Sequence, residues 1–267
     1  MLELCDLTAG YDRHPAVHHI AARFRAGSLT AIIGPNGGGK STLLKAIMGM
    51  IPLMSGHIIL RGVTMRDCAY MPQQSEIDRD FPLRAADLVN FGHWRRAGAY
   101  RLVTPAMQQR TDEALRRVGM FSFKERPVSS LSVGQFQRIL FARIIVQDAR
   151  LILLDEPFAP IDSKTVADLV PLLKQWRAEG RAVLLVAHDP ALVRESCPNA
   201  MLLAREVVAY GATADVMEPA NLHRARLLAE SWEDRAPQCD RDLLPPGHRH
   251  DDDHDHGHHH PHHGHRP

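Results

Sequence analysis

Residues 34–42 read GPNGGGKST, and this stretch limits the fold more than any other part of the chain. It fits the phosphate-loop pattern G-x-x-x-x-G-K-[ST], which works only where a buried strand enters the loop and a helix leaves it. Both flanks are there. "SLTAIIG" from Ser28 is a short apolar run, partly β-branched and ending in glycine, and reads as a buried strand. From Lys40 to Met50 the residues Leu43, Leu44, Ile47 and Met48 fall on one helical face. Gly37, Gly38 and Gly39 let backbone N–H groups turn inward around phosphate oxygens, and the helix beginning near Lys40 adds its dipole. Lys40 can then neutralise β- and γ-phosphate charge, while the Ser41 hydroxyl can ligate Mg²⁺. Gly34, Pro35, Asn36 and Thr42 complete the cradle.

Two further runs, "RLILLDEP" from Arg150 and "AVLLVAHD" from Ala182, read as buried strands. Between them Val166, Leu169, Val170, Leu173 and Trp176 recur at helical spacing over residues 163–179. All-apolar strands alternating with helices predict an α/β fold with a mainly parallel sheet covered on both faces. The middle of the chain, about residues 80–147, differs. "RAADLVNFGHWRR" and "PAMQQRTDEALRRVGMF" are amphipathic helical patterns with no strand between them, so a helical subdomain is expected to be inserted there. "AMLLAREVVAYG" from Ala200 reads as a hairpin, followed by a short helix near residues 221–231.

Asp155 stands at the C-terminal end of its strand, where it can hold Mg²⁺ through water. Glu156 follows directly and can polarise an attacking water. "SSLSVGQFQRILFAR" (residues 129–143) then supplies a second Ser- and Gly-lined helix N-terminus, a second potential anion site far from the phosphate loop in sequence.

Taken in order, these motifs resemble those of the ATP-binding cassette (ABC) ATPases. LSVGQ resembles that family's LSGGQ signature, with Val133 in the tolerant third position. Tyr11 in "TAGYD" resembles the aromatic that stacks on adenine, and Gln73 in "YMPQQ" resembles the Q-loop glutamine. Gln74 lies beside it, but the family pattern Y-x-P-Q selects Gln73. "FAPID", ending at Asp162, resembles the D-loop, and His188 in "VAHDP" resembles the switch histidine that senses γ-phosphate. Pro160 departs mildly from the D-loop pattern and stiffens its turn. The resemblance covers about residues 1–230.

It implies a P-loop NTPase of the ABC type, with an N-terminal antiparallel β part added to the core and the helical subdomain inserted. It further implies ATP as substrate and Mg²⁺ held by Ser41, Gln73 and Asp155, with Glu156, His188 and Gln73 catalytic. Two copies would pair head to tail, each ATP lying between the phosphate loop of one and Ser132, Gly134 and Gln135 of the other, with Asp162 close by. "EIDRDFP" and "EPFAPIDSKT" resemble the subgroup serving zinc and manganese importers, with iron-chelate importers a near neighbour. That subgroup implies separate membrane permease subunits and a periplasmic or extracellular metal-binding protein. A soluble ABC ATPase of DNA repair or translation is the alternative; those usually carry coiled-coil insertions or paired cassettes, and this chain has neither.

Composition narrows the remaining classes. Net charge is +1, and the two Arg and four Asp of the last 21 residues leave +3 for the rest, too weak to imply a nucleic-acid partner. Cys5, Cys68, Cys197 and Cys239 form no CxxC pair, which fits a reducing compartment. The start MLELCDLTAGYD has acidic residues where a signal peptide needs a basic start and an apolar run, and no run approaches the ~18 apolar residues of a membrane span. The expected location is cytoplasmic, peripheral at the inner face of the cell membrane.

The C-terminal stretch HRHDDDHDHGHHHPHHGHRP holds ten of the 17 His. With no aliphatic or aromatic residue to bury, it is expected to be disordered. The predicted organisation is an ABC ATPase domain over residues 1–235 and a His/Asp-rich tail over 236–267. Purification tags are uninterrupted His runs, whereas the longest run here is three. Neutral imidazole suits Zn²⁺ better than Mn²⁺. His248, His250, His254, His256, His258, His259, His260, His262, His263 and His265 are therefore candidate Zn²⁺ ligands of a weak, multi-site buffer or sensor, as against a merely solubilising segment or a storage protein.

Overall fold

The computed structural model describes residues 1–233 apart from 13, 95–97 and 99–101; the His-rich tail lies outside the described residues. The chain opens with β1 (Leu2–Tyr11) and β2 (His14–Phe24), which pair antiparallel, and β4 (Leu53–Leu60) pairs antiparallel with the other edge of β1. Between them run β3 (Leu29–Ile33) and α1 (Lys40–Ile47). After β4 come β5 (Cys68–Met71), α2 (Ala85–Asn90), α3 (Pro105–Arg117) and α4 (Val133–Gln147). The chain continues through β6 (Leu151–Asp155), α5 (Ser163–Ala178), β7 (Ala182–Val186), α6 (Pro190–Ser196), β8 (Asn199–Ala204) and β9 (Glu206–Ala212). Two last helices, α7 (Thr213–Val216) and α8 (Pro219–Glu233), follow.

The main sheet has the order β5-β6-β7-β3-β8-β9, with every neighbouring pair parallel except the β8–β9 hairpin. β3, β6 and β7 are buried at every residue, which explains their unbroken apolar runs. Successive side chains still go to opposite faces. Leu151 and Leu153 of β6 join the core formed with α1 and the antiparallel sheet, through Leu43, Leu44, Ile20 and Phe24. Ile152 and Leu154 join the opposite core, with Phe136, Phe141, Leu173 and Trp176 of α4 and α5. The sheet is thus a partition between two apolar layers, and its strand ends form one edge.

Helix ends follow local chemistry. The α1 pattern runs to Met50 in sequence, yet the helix stops at Ile47. Gly49 takes φ 66°, its N–H donates to Ala46 O and that of Met50 to Lys45 O, a Schellman closure that outweighs the remaining apolar residues. In α5 Leu169, Leu173 and Trp176 are buried as the spacing predicts, but Thr165 and Leu172 share the inner face while Val166 and Val170 stay half-buried. The helical pattern expected from Arg84 is α only to Asn90 and tightens to a 3₁₀ turn at Phe91–His93; residues 95–97 lie outside the description. His93 holds this turn on α3, its Nε2 3.0 Å from Met107 O and 3.2 Å from Thr111 Oγ1.

Candidate nucleotide site

The phosphate loop leaves the central strand β3 and enters α1, while β6 and β7 deliver residues 155–156 and 188 at the same edge. Ligands of open α/β sheets bind at this carboxyl edge of the strands. Two glycines are required by close approach. A Cβ on Gly34 would stand 1.9 Å from Leu203 O, and one on Gly39, at φ 86°, would stand 2.4 Å from Ala16 O. Any side chain there would push the loop off its neighbours. Gly37 differs, with φ 73° and open space around its Cβ position. The glycines thus form a tight backbone turn with an open tip.

Lys40 lies beneath the loop, 6% exposed, and its Nζ donates to Gly34 O at 3.0 Å and Pro35 O at 2.8 Å. Burial lowers the pKa of its ammonium, and the nearby carboxyls of Glu156 and Asp155 oppose that shift. A phosphate group is a stronger acceptor for this cation than two carbonyls.

Ser41 Oγ donates to Asp155 Oδ1 at 3.0 Å, and Tyr70 OH donates to Asp155 Oδ2 at 3.3 Å. Asp155 is fully buried. Desolvation raises its pKa, the Ser41 hydrogen bond lowers it, and the Glu156 charge raises it again. The Ser41 hydroxyl beside a buried carboxylate is a hard oxygen set, and it fits Mg²⁺. Gln73 Nε2 donates to Ser41 Oγ at 3.2 Å and to Glu156 Oε1 at 3.0 Å. His188 Nε2 lies 2.6 Å from the same Glu156 oxygen. Glu156, at φ 49°, sits in the left-handed region, a strained conformation typical of a functional turn. Its carboxylate therefore stands at the cleft between an amide and an imidazole, where it can accept a proton from water.

The cleft has a volume of about 360 Å³ and is lined by Ala16, Gln73, Glu156 and the loop from Asn36 to Thr42. Among the described residues of its lining there is none from 132–135. Ser132 instead caps α4, its Oγ accepting from Gln135 N at 3.2 Å, while Ser132 N donates to Gln135 Oε1 at 3.0 Å. This capping box satisfies the amides of Ser132 and Gln135 at the start of the helix. Gly134 sits against the N-terminus of α5: its Cβ would lie 3.3 Å from Asp162 Oδ2. Asp162 caps that helix, accepting from Thr165 N at 2.9 Å, and this hydrogen bond lowers its pKa. Tyr11 ends β1, 49% exposed and outside the cleft lining.

The structure thus gathers the predicted site residues into two groups, Lys40–Ser41–Gln73–Asp155–Glu156–His188 and Ser132–Gly134–Gln135–Asp162. Sequence reasoning passed over Ala16, which lines the cleft, and used Tyr70 only as the first residue of YMPQQ without its contact with Asp155. Gln74 turns away from the cleft to donate to Gln137.

Comparison with known proteins agrees with this arrangement. The ABC transporter family model matches residues 17–159. The zinc transport system ATP-binding protein TroB of Treponema pallidum is 40% identical, the alignment spanning 84% of this chain and 86% of that protein. The manganese transport system ATP-binding protein MntB of Bacillus subtilis is 36% identical, over 84% and 91%. Among solved structures, the dimeric post-hydrolysis state of the ATP-binding cassette MJ0796 bound to ADP and Pi superposes with a TM-score of 0.71 at 25% identity, over 80% of this chain and 99% of that one. With the phosphate loop, the carboxylate pair and the capped signature helix all in place on this fold, the chain belongs to the ABC transporter family as an ATPase.

Proposed function

We propose that this chain is the ATP-hydrolysing subunit of an importer for a divalent transition metal, zinc in first place. The observation that carries the reading is the Glu156 carboxylate held by Gln73 and His188 beside Lys40 and the Ser41–Asp155 pair. ATP binds with its phosphates on residues 34–42. Tyr11 serves as the adenine-stacking aromatic, and Ser41, Gln73 and Asp155 would hold Mg²⁺, which would supply positive charge against the phosphates. Glu156 takes the proton of the attacking water, while Gln73 and His188 orient its carboxylate. Ser132, Gly134 and Gln135 present their helix N-terminus to the ATP of a second copy, with Asp162 beside them. The cassette is assigned to residues 1–235, with residues 80–147 as its helical part.

The reading also includes permease subunits at the inner face of the membrane and a metal-binding protein outside it. Among the described residues no helix is long and apolar enough to cross a membrane. A cleft of about 420 Å³ beside α2 favours a protein partner. Apart from Asp78 it is lined by apolar residues, with Phe81 59% and Trp94 44% exposed, and exposed aromatics beside a charged residue suit a partner's apolar segment. The relatives named above serve zinc in one case and manganese in the other. Imidazole chemistry in the tail favours zinc. Cells lacking this chain should fail to grow in zinc-chelated medium and should recover with added zinc but not added manganese. Recovery with manganese alone would move the assignment to that metal.

The tail gives a separate expectation. Ten imidazoles interleaved with Asp251, Asp252, Asp253 and Asp255 offer several three- or four-ligand sets, none preorganised. Calorimetric titration should show the full chain binding more than one Zn²⁺ per molecule and Mn²⁺ poorly. Binding should fade as pH falls below the imidazole pKa of about 6.5, because protons compete for the ligands. A chain ending at Pro246 should lose most of that zinc and keep ATP hydrolysis. Equal zinc stoichiometry with and without the tail would remove its metal role.

A further inference from the structure

The segment between Gln73 and the apolar cleft carries contacts that the nucleotide chemistry does not use. Gln137, 1% exposed on α4, donates from Nε2 to Met71 Sδ at 3.2 Å and accepts from Gln74 Nε2. Arg79 donates from Nη2 to Leu131 O, and its Cζ lies 4.8 Å from the centroid of the Phe136 ring. Leu131 is the residue before Ser132, and Phe136 is the residue after Gln135. One guanidinium therefore grips the signature turn on both sides. A charged donor on a carbonyl and a cation over an aromatic face are both directional contacts, so they set orientation as well as proximity. On either side of Arg79, Ile77, Asp78 and Phe81 line the cleft assigned to the permease.

We propose that Arg79 is a positioning residue. It orients Ser132 and the first turn of α4 toward the nucleotide of the partner copy. The proposal rests on the shared-site reading above and goes beyond it by naming the side chain that aims the signature. Arg79 lies outside the lining of its own nucleotide cleft, so nucleotide binding to a single copy does not depend on it. Pairing does.

The test uses the full chain carrying Glu156→Gln, in which ATP-driven pairing can be followed by light scattering without turnover. Adding Arg79→Ala should raise the ATP concentration for half-maximal pairing at least about tenfold, the loss expected for one charge-assisted contact. Affinity for ADP, which reads the phosphate loop of one copy, should stay within about twofold, since none of its contacts is touched. Arg79→Lys, which keeps a cation over Phe136 but not the guanidinium plane, should fall between the two. In chains with Glu156 intact, a higher protein concentration should restore the ATPase activity lost on Arg79→Ala, a rescue that a folding defect would not show. An unchanged pairing midpoint, or ADP affinity falling in parallel, would overturn the role. Failure of Glu156→Gln itself to pair would sink the shared site instead, and amide exchange then decides the role of Arg79. The amides of Gln135 and Phe136, bonded to Ser132 Oγ and Ser132 O, should exchange about tenfold faster in Arg79→Ala at unchanged rates in α1. Equal rates would reject it.

Discussion

Glu156→Gln should lower ATP turnover by about 10²- to 10⁴-fold, the range that a positioned general base contributes. The substitution is nearly isosteric, and the two groups that hold the carboxylate, Gln73 Nε2 and His188 Nε2, remain. What disappears is proton-accepting capacity on the Oε atoms. Binding should survive, because the Lys40 contacts and the Ser41–Asp155 pair do not pass through Glu156. The chain should therefore take up ATP, fail to consume it and collect as an ATP-bound dimer on size exclusion. Near-normal turnover by this variant would remove Glu156 from the role of base and reassign the water's proton.

The second large effect concerns the division of each site between two copies. Lys40→Ala removes the buried cation under the phosphate loop. Gly134→Asp places a carboxylate where a Cβ already comes within 3.3 Å of Asp162 Oδ2 and 3.2 Å of Thr165 Oγ1, so a second negative charge faces an anion site. Each variant alone should lose hydrolysis by about 10²-fold or more, the loss seen when a preorganised contact to developing charge is removed. Mixed in equal amounts, the two should form dimers in which one composite site joins the intact phosphate loop of the Gly134→Asp copy to the intact signature of the Lys40→Ala copy. Activity should return to at most about a quarter of the wild-type value, since random pairing makes half the dimers mixed and repairs one site in each. Wild-type turnover that persists undiminished in monomers across a dilution series would end the shared-site reading.

The sequence by itself determined the class of fold and the reacting groups. The short, largely apolar runs at β3, β6 and β7, five residues each, read by their length as strands buried on both faces. A G-x-x-x-x-G-K-S loop between one of them and a helix is a phosphate cradle, and Asp155 ends β6, one strand removed from β3 in the sheet, with Glu156 directly after it. These were legible because each depends on neighbours within a few residues: periodicity, a turn, a cap. The early stop of α1 was legible in principle too, since Gly49 is its signal, but the apolar Met48 and Met50 hid it.

Only the tertiary structure decided which polar groups meet across long sequence separations. No local pattern pairs the Tyr70 hydroxyl with Asp155, 85 positions on, or the Arg79 guanidinium with the turn at Leu131. These contacts depend on β5 lying beside β6 and on α4 folding back across the segment that follows β5. The same holds for Glu156. Its motif names it, but its two hydrogen-bonding neighbours arrive from the ends of β5 and β7, 83 and 32 positions away. Local propensity reaches about one turn of helix or one hairpin. Beyond that, the packing of whole elements against the sheet determines which side chains touch.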